Sequence, residues 1–138
     1  MPIKNYTTRI SAFQSIGEIQ GALAQHGAAK IMVDYVDGKP TGISFGLATP
    51  AGMRGFVLPA AVDGTLRAFQ KQRIKCDEDQ AERTAWRNVR DWVLAQMALI
   101  ESCDMQVEEP FLPYLANRNG ETVYQLYSRG QLLLGDGT

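Results

Sequence analysis

The chain of 138 residues has little of what metal sites and imidazole or thiol catalysis require. It has one histidine, His26, and two cysteines, Cys76 and Cys103, and these residues do not lie at ligand spacing from one another. A zinc site needs clustered ligands, and a nucleophile paired with histidine would have to use His26. Glycine-rich phosphate-binding motifs are missing as well. The sequence therefore predicts no metal and no cofactor, and it favours a protein that is not an enzyme.

Long apolar runs are also missing from the sequence. The longest apolar runs are only a few residues, whereas a helix that crosses a bilayer needs about 20 apolar residues. The first ten residues, MPIKNYTTRI, lack the apolar segment of a signal peptide. Two cysteines are too few for a disulfide framework and are typical of free thiols in a reducing compartment. We therefore expect a cytoplasmic protein that has no membrane partner.

The chain has no large excess of charge of either sign. Its 14 Lys and Arg against 15 Asp and Glu give a net charge of −1, which argues against strong non-specific binding of nucleic acid. The charges are nevertheless unevenly spread. Residues 54–90 carry eight Lys or Arg against five Asp or Glu, and residues 91–138 carry two against seven. Such a distribution can form a local anion site or a self-complementary interface between copies.

The hydrophobic pattern predicts a single α+β domain over residues 1–138. Residues Tyr6–Ile10 are β-prone and predict an N-terminal edge strand. Ser15 and Glu18 match a capping box, which predicts a first helix that ends at Gly27. Apolar residues then alternate between residues 28 and 58, which predicts three strands of an antiparallel meander. The first of these, KIMVDYV, is apolar on both faces and is expected to be central in the sheet.

From residue 60 onward the apolar spacing becomes helical. A second helix is expected to end in the basic stretch KQRIK, and a third to run from about residue 80, capped by Asp79, to about residue 102. An irregular stretch and a short last helix near Val123–Tyr127 follow. The sequence thus predicts an α+β fold: a three-stranded antiparallel meander, with the additional N-terminal edge strand, packed against three to four helices.

Three arginines of the third helix lie in one stripe beside Trp86. Because a helix advances about 100° per residue, Arg87 lies about 40° and Arg90 about 20° from Arg83. One interpretation is a solvated helix margin whose guanidiniums pair with acidic neighbours. The other is a site for an anion or nucleic acid, in which the arginines bind phosphate and Trp86 is an apolar or stacking wall. The alternating cations of an extended KQRIK would join that site: Lys71, Arg73 and Lys75.

Several stretches together resemble a family of small, mostly uncharacterised proteins of phages, prophages and mobile elements. The resemblance spans nearly the whole chain. It implies a protein that serves a mobile element in the host cytoplasm, either by handling nucleic acid or by interfering with host defence. The stretches that carry the resemblance are NYTT, SIGEIQ, LAQHGA, the F-x-LP at residues 56–59, AERTAWR, DWVLAQMALIE, FLPYL and LLLG.

Three functional hypotheses follow from these observations. The first is a non-catalytic phage-type protein that binds nucleic acid as an accessory to replication or recombination. It depends on the basic, aromatic segment 67–92 and on a strand face that is bare around Ser44 and Gly46. The second is a counter-defence protein that sequesters a nucleotide immune signal or blocks a host protein. The third is an oligomeric interaction or structural protein.

A homo-oligomer is expected in any case. A thin α+β layer offers little room to bury the many large apolar residues of the C-terminal half, and exposed apolar patches usually mark interfaces. These residues predict a two-fold dimer. They are Trp92, Leu99, Phe111, Leu112, Tyr114 and Leu132–Leu134.

Overall fold

A computed structural model describes residues 1–131 of the chain and confirms the α+β class. Four strands form one antiparallel sheet in the order β1-β2-β3-β4. The elements, in chain order, are α1 (Ala12–Gln25), β1 (Ala29–Val36), β2 (Lys39–Thr49), β3 (Gly52–Pro59), α2 (Val62–Lys71), α3 (Glu78–Cys103), a 3₁₀ turn (Leu112–Tyr114), β4 (Leu115–Ala116) and α4 (Val123–Ser128).

The predicted meander is confirmed. β1 and β2 are joined at Asp37 and Gly38, whose φ angles of 52° and 78° are both positive. Two positive φ angles define the type I′ turn, whose twist matches that of the flanking strands. β2 and β3 are joined just as tightly, because Thr49 pairs with Gly52. The two turns thereby set the register where each pair of strands begins.

Among the described residues, helices cover only one of the two faces of the sheet. Ile43, Phe45 and Leu47 of β2 are buried against α1 and α3, and together they form the core. The outer face, defined by Ser44 and its neighbours on alternate positions, has no helix over it among the described residues. Met32 and Met53 are 61% and 60% exposed. The sequence-based expectation of a bare face on β2 is therefore confirmed.

Two predictions about strands are wrong. Residues 6–10 do not form a strand. Side chains of α3 bond carbonyl groups of residues 5–8 instead: the Thr84 hydroxyl donates to the Asn5 carbonyl at 3.0 Å, and the Gln80 side-chain amide donates to the Tyr6 and Thr8 carbonyls. β1 is an edge strand rather than a central one. Its outer face is uncovered and Met32 is 61% exposed there, so the apolar residues of this strand did not indicate a position inside the sheet.

The predicted helix caps are shifted by a few residues. The N-cap of α1 is Ser11, whose hydroxyl accepts from the Gln14 amide at 3.1 Å, whereas Ser15 is fully buried within the helix. Asp77 rather than Asp79 caps α3. The predicted capping box at Ser15 is therefore wrong. This leaves the Glu18 carboxylate free to face α3.

The irregular segment after α3 is fixed by one aromatic side chain. Phe111 is fully buried and lies edge-on to Phe45 and Trp92, with ring centroids 5.4 and 5.5 Å apart. Phe111, Trp92 and Tyr114 belong to the core or pack against it. They were expected to be exposed, so this part of the argument for a dimer is wrong. Leu99 and Leu112 are exposed, and Leu132–Leu134 lie outside the described residues.

In the part of the chain that the structure describes, no helix combines the length and the apolar character that crossing a bilayer requires.

Replacing Phe111 by alanine should lower the free energy of unfolding by about 3–5 kcal/mol, because a large buried aromatic leaves a cavity between sheet and helix. Leu112→Ala is the matched control. Leu112 is 51% exposed, and its loss should cost less than about 1 kcal/mol. Urea denaturation of the two variants measures the difference. Equal losses would show that Phe111 does not anchor the segment.

Candidate functional site

The arginine stripe of α3 faces α1 and meets a carboxylate there. Arg87 Nη1 lies 3.1 Å from Glu18 Oε2, and Arg90 Nε lies 2.9 Å from Glu18 Oε1. Each oxygen of the Glu18 carboxylate thus accepts from a different guanidinium. Arg87 Nη1 also lies 3.4 Å from the buried Ser15 hydroxyl. These contacts tie α1 to α3 at the centre of both helices.

A second carboxylate extends this network toward the N-terminal segment. Asp91 Oδ1 lies 2.9 Å from Arg90 Nη1, and Asp91 Oδ2 accepts from the Asn5 amide at 2.9 Å. The Lys4 ammonium lies 3.3 Å from Asp91 Oδ2. Arg83, the third arginine of the stripe, donates to the Gln80 amide oxygen at 2.6 Å. The stripe is therefore brought together as predicted, but two of its three guanidiniums are already paired with carboxylates.

The carboxylates of this network have lowered pKa values. The hydrogen bond from Arg87 is the main cause of the lowered pKa of Glu18. Partial burial opposes it, and a further hydrogen bond from Arg90 adds to the lowering. For Asp91, burial raises the pKa, but the hydrogen bonds from Asn5, Arg90 and Lys4 together outweigh burial and lower it. Both carboxylates are thus held in the ionised form, which keeps the arginines neutralised at neutral pH.

Trp86 lies in the core rather than beside the stripe. It is fully buried, and its indole Nε1 donates to the Pro40 carbonyl at 3.2 Å. A stacking wall needs a ring face that is open to solvent, which Trp86 lacks in this position. The structure therefore corrects the expected role: the side chain holds α3 against the start of β2.

The other predicted cations lie where α2 ends. Lys71 is the last residue of α2, Gln72 is its C-cap, and Arg73 has a left-handed backbone with φ 58°. The Ile74 amide donates back to the Phe69 carbonyl at 2.8 Å, which closes the helix end. KQRIK is therefore not the extended, alternating segment that was expected. A turn replaces it, because the chain must reverse between α2 and α3.

Four cations in and after α2 are exposed. One turn before Lys71, Arg67 lies on the same face of the helix, since residues at i and i+4 are neighbours. Within residues 1–131, none of the four side chains has an ion-pair partner. We call this set the basic segment; it consists of Arg67, Lys71, Arg73 and Lys75.

Carboxylates surround the cavity that lies nearest to the basic segment. It has a volume of about 670 Å³ and lies at the start of α2, where Arg67 and Lys39 are two of its lining residues. Glu78 and Glu82 of α3 line the same cavity, and Glu78 bonds the Lys39 ammonium at 2.9 Å. A phosphate group in this cavity would be close to acidic side chains. The geometry therefore favours an anion site on the open surface of the basic segment over one inside the cavity.

Two features of the site were missed from the sequence. Glu18 was assigned to a helix cap, so its pairing with the arginine stripe was not expected. The second missed feature is Arg67, which belongs to the basic segment. Its spacing of four residues from Lys71 was a detectable signal, because it places two cations on one helix face.

Comparisons with protein-family models, with curated proteins and with solved structures each give no significant match. The resemblance to a phage and mobile-element family therefore stays a prediction.

Arg87→Ala should lower the free energy of unfolding by about 1–3 kcal/mol, because it removes a charge-assisted hydrogen bond between α1 and α3. Arg118→Ala is the matched control: Arg118 is exposed, has no ion pair within the described residues, and should change stability by less than about 0.5 kcal/mol. Thermal or urea denaturation measures both. If Arg87→Ala were as stable as the control, the arginine stripe would not be a structural clamp.

The protein should lose stability as the pH falls from about 5 to about 3. In the unfolded chain Glu18 and Asp91 titrate near their ordinary values of 4.5 and 3.8, whereas in the folded chain both pKa values are lower. The unfolded state therefore binds more protons in this range, and the stabilisation is lost as the folded carboxylates protonate.

Glu18→Gln should weaken this acid dependence, whereas Glu109→Gln, at an exposed residue without an ion pair in the described part, should retain it. Urea denaturation across the pH range measures the slopes. Equal slopes for wild type and Glu18→Gln would contradict the assignment.

Proposed function

We propose that the protein is a non-catalytic nucleic-acid-binding protein that contacts the phosphates of single strands through its basic segment. The observation that carries the proposal is the contrast between two sets of cations. Arg87 and Arg90 are neutralised by Glu18 and Asp91. The basic segment instead presents its four cations to solvent without ion pairs among the described residues. Its four cations lie close together along the chain and are available to phosphate.

The local charge of this surface matters more than the net charge of −1. Each Lys or Arg that contacts a phosphate releases condensed counterions, so a few clustered cations give binding that depends strongly on salt. At 0.1 M salt, charges farther apart than the Debye length of about 10 Å are largely screened, so the charge close to the segment governs its contact with phosphate. A small, local binding surface is compatible with this composition.

The backbone of Arg73 also supports the proposal. Its φ of 58° places it at the position after a helix end where glycine is strongly preferred. For a residue with a Cβ, the left-handed conformation costs about 1–2 kcal/mol. An arginine at this position is explained if its guanidinium binds phosphate, which a glycine side chain cannot do. Strained positions of this kind are frequent at ligand sites.

The biological role follows from the family resemblance. In a phage-type protein, the surface would serve an accessory of replication or recombination. The alternative role, sequestration of a nucleotide immune signal, needs free cations that converge in a cavity. The cavity beside Arg67 offers carboxylates as well, namely Asp63, Glu78 and Glu82. The basic segment therefore favours the first role.

Fluorescence anisotropy with a labelled DNA strand of about 16 nucleotides tests the proposal. With four phosphate contacts, affinity should fall roughly 50-fold between about 50 and 200 mM salt. Lys71→Glu should weaken binding and flatten the salt dependence. Arg54→Glu, the same charge change at an exposed residue of β3, is the matched control and should bind as the wild type does. A matching duplex and an RNA strand identify the preferred form.

A second variant separates binding from folding. Arg73→Gly should raise the free energy of unfolding by about 0.5–1 kcal/mol, because glycine adopts the left-handed backbone without strain. The same variant should weaken binding, because it removes one phosphate contact. If wild-type protein binds no strand at low salt, or if Lys71→Glu and Arg73→Gly bind as tightly as wild type, the proposal is overturned.

A further inference from the structure

The outer edge of β1 is unpaired in the described part of the chain. β1 bonds only β2, so half of its backbone amides and carbonyls point away from the sheet. Its sequence, AKIMVDYV, is rich in residues that favour strands. Proteins usually protect such an edge by short length, proline, charged side chains, a bulge or a covering element. β1 is eight residues long and contains no proline, and between its two register shifts Met32, Val33 and Asp34 pair regularly with β2.

Two opposite charges flank the centre of this strand at equal distances. Lys30 lies two residues before Met32, and Asp34 lies two residues after it. All three belong to the outer face of the sheet. Asp34 accepts from the Ser44 hydroxyl at 3.1 Å, and Lys30 and Met32 line one shallow concavity of about 330 Å³ over Ser44. Neither charge has an ion pair within residues 1–131.

We propose that a second copy of the chain docks on this edge, with β1 pairing antiparallel to the partner's β1 about a two-fold axis through Met32. In this register Lys30 lies opposite the partner's Asp34, and Asp34 lies opposite the partner's Lys30. Ile31 lies opposite the partner's Val33. The occupant is a second copy because the strand is complementary to itself in both charge and apolar character. An interface of this kind is isologous, as in most dimers.

Neighbouring registers are less favourable. Because the two-fold axis is perpendicular to the sheet, the outer faces of both copies lie on the same side. Each alternative register therefore places the axis at another residue of β1, and residues that lie opposite each other share a face. An axis through Ile31 or Val33 places one charge opposite Met32 and leaves the other without a partner. An axis through Lys30 or Asp34 brings like charges together, which is destabilising. The Met32 register is the one that pairs both charges.

The backbone at Lys30 limits the paired segment. Lys30 has φ 56°, and the β1–β2 register shifts between Ala29 and Met32 and again between Asp34 and Tyr35. A bulge increases the local twist and ends regular pairing. The ladder between copies therefore runs from Lys30 to Asp34 and does not extend toward α1. In the dimer, the four strands of each copy form one continuous sheet. The helices of both copies lie on the same side of this sheet.

This dimer does not depend on the proposed function. The basic segment belongs to α2 and the following turn, and it shares no residue with β1. Nucleic-acid binding and dimer formation can therefore fail separately.

Charge-reversal variants test the register. Light scattering after size-exclusion chromatography, from about 1 μM to 1 mM protein, should give twice the chain mass of 15.2 kDa for wild type. Lys30→Glu places two carboxylates together at each end of the ladder, and Asp34→Lys places two ammonium groups there. Each variant alone should have the mass of one chain. An equimolar mixture should return to two chains, because both cross-pairs are then Glu with Lys and Asp with Lys.

Met32→Lys is a second variant, chosen because Met32 is 61% exposed and its replacement does not disturb the core. It brings two ammonium groups together at the axis and should give single chains. Met53→Lys is its matched control: Met53 is 60% exposed on the same face, but it lies on β3 away from the edge, so this variant should remain a dimer.

Wild-type protein with the mass of one chain at the highest concentration would overturn the proposal. So would a Met32→Lys variant that remains a dimer, or folded Lys30→Glu and Asp34→Lys variants that stay single chains when mixed. Circular dichroism confirms that each variant is folded. If one charge variant does not fold, the comparison of Met32→Lys with Met53→Lys decides.

Discussion

The buried indole of Trp86 fixes the rotation of α3 about its own axis. Its Nε1–H group has no access to water and must find an acceptor, which is the Pro40 carbonyl at the start of β2. Once this bond and the surrounding core set the rotation, the neighbouring residues of α3 have determined directions. Arg87 and Arg90 face Glu18 of α1, and Thr84 faces the N-terminal segment. A single hydrogen bond in the core thereby organises the polar contacts at its margin.

The sequence was informative for the meander, whose strands pair with neighbours that are close in the chain. The alternation between residues 28 and 58 predicted the meander, and Asp37-Gly38 predicted a turn that needs two positive φ angles. It was less informative where a residue had several partners available. Ser15 and Glu18 fit a capping box, but Ser11 caps the helix and Glu18 bonds arginines about 70 residues away. Local propensity contains no information about such distant partners.

The same limit applies to the candidate site. From helical angles, the arginine stripe and its border position could be predicted, but whether its guanidiniums were free could not. That depends on α1, which packs against α3 and places the Glu18 carboxylate within hydrogen-bonding distance of Arg87 and Arg90. On the helix, Trp86 lies next to the boundary between the apolar face and the arginine stripe, so the sequence allowed either a buried or an exposed side chain. The exposed cations near Lys71 were found as a group, although their backbone is a left-handed turn at Arg73 rather than a strand.

The N-terminal segment has a consequence for the order in which the chain acquires structure. Its contacts join Ile3 to Gln72 and Asn5 to Asp91, pairs that are 69 and 86 residues apart. During synthesis this segment leaves the ribosome before its partners, because Gln72 and Asp91 follow it by 69 and 86 residues in the chain. The meander, whose strands are joined by tight turns, can pair long before that. Residues 3–8 are thus translated before the meander but reach their native contacts after it, and their carbonyl groups remain hydrated until α3 has formed.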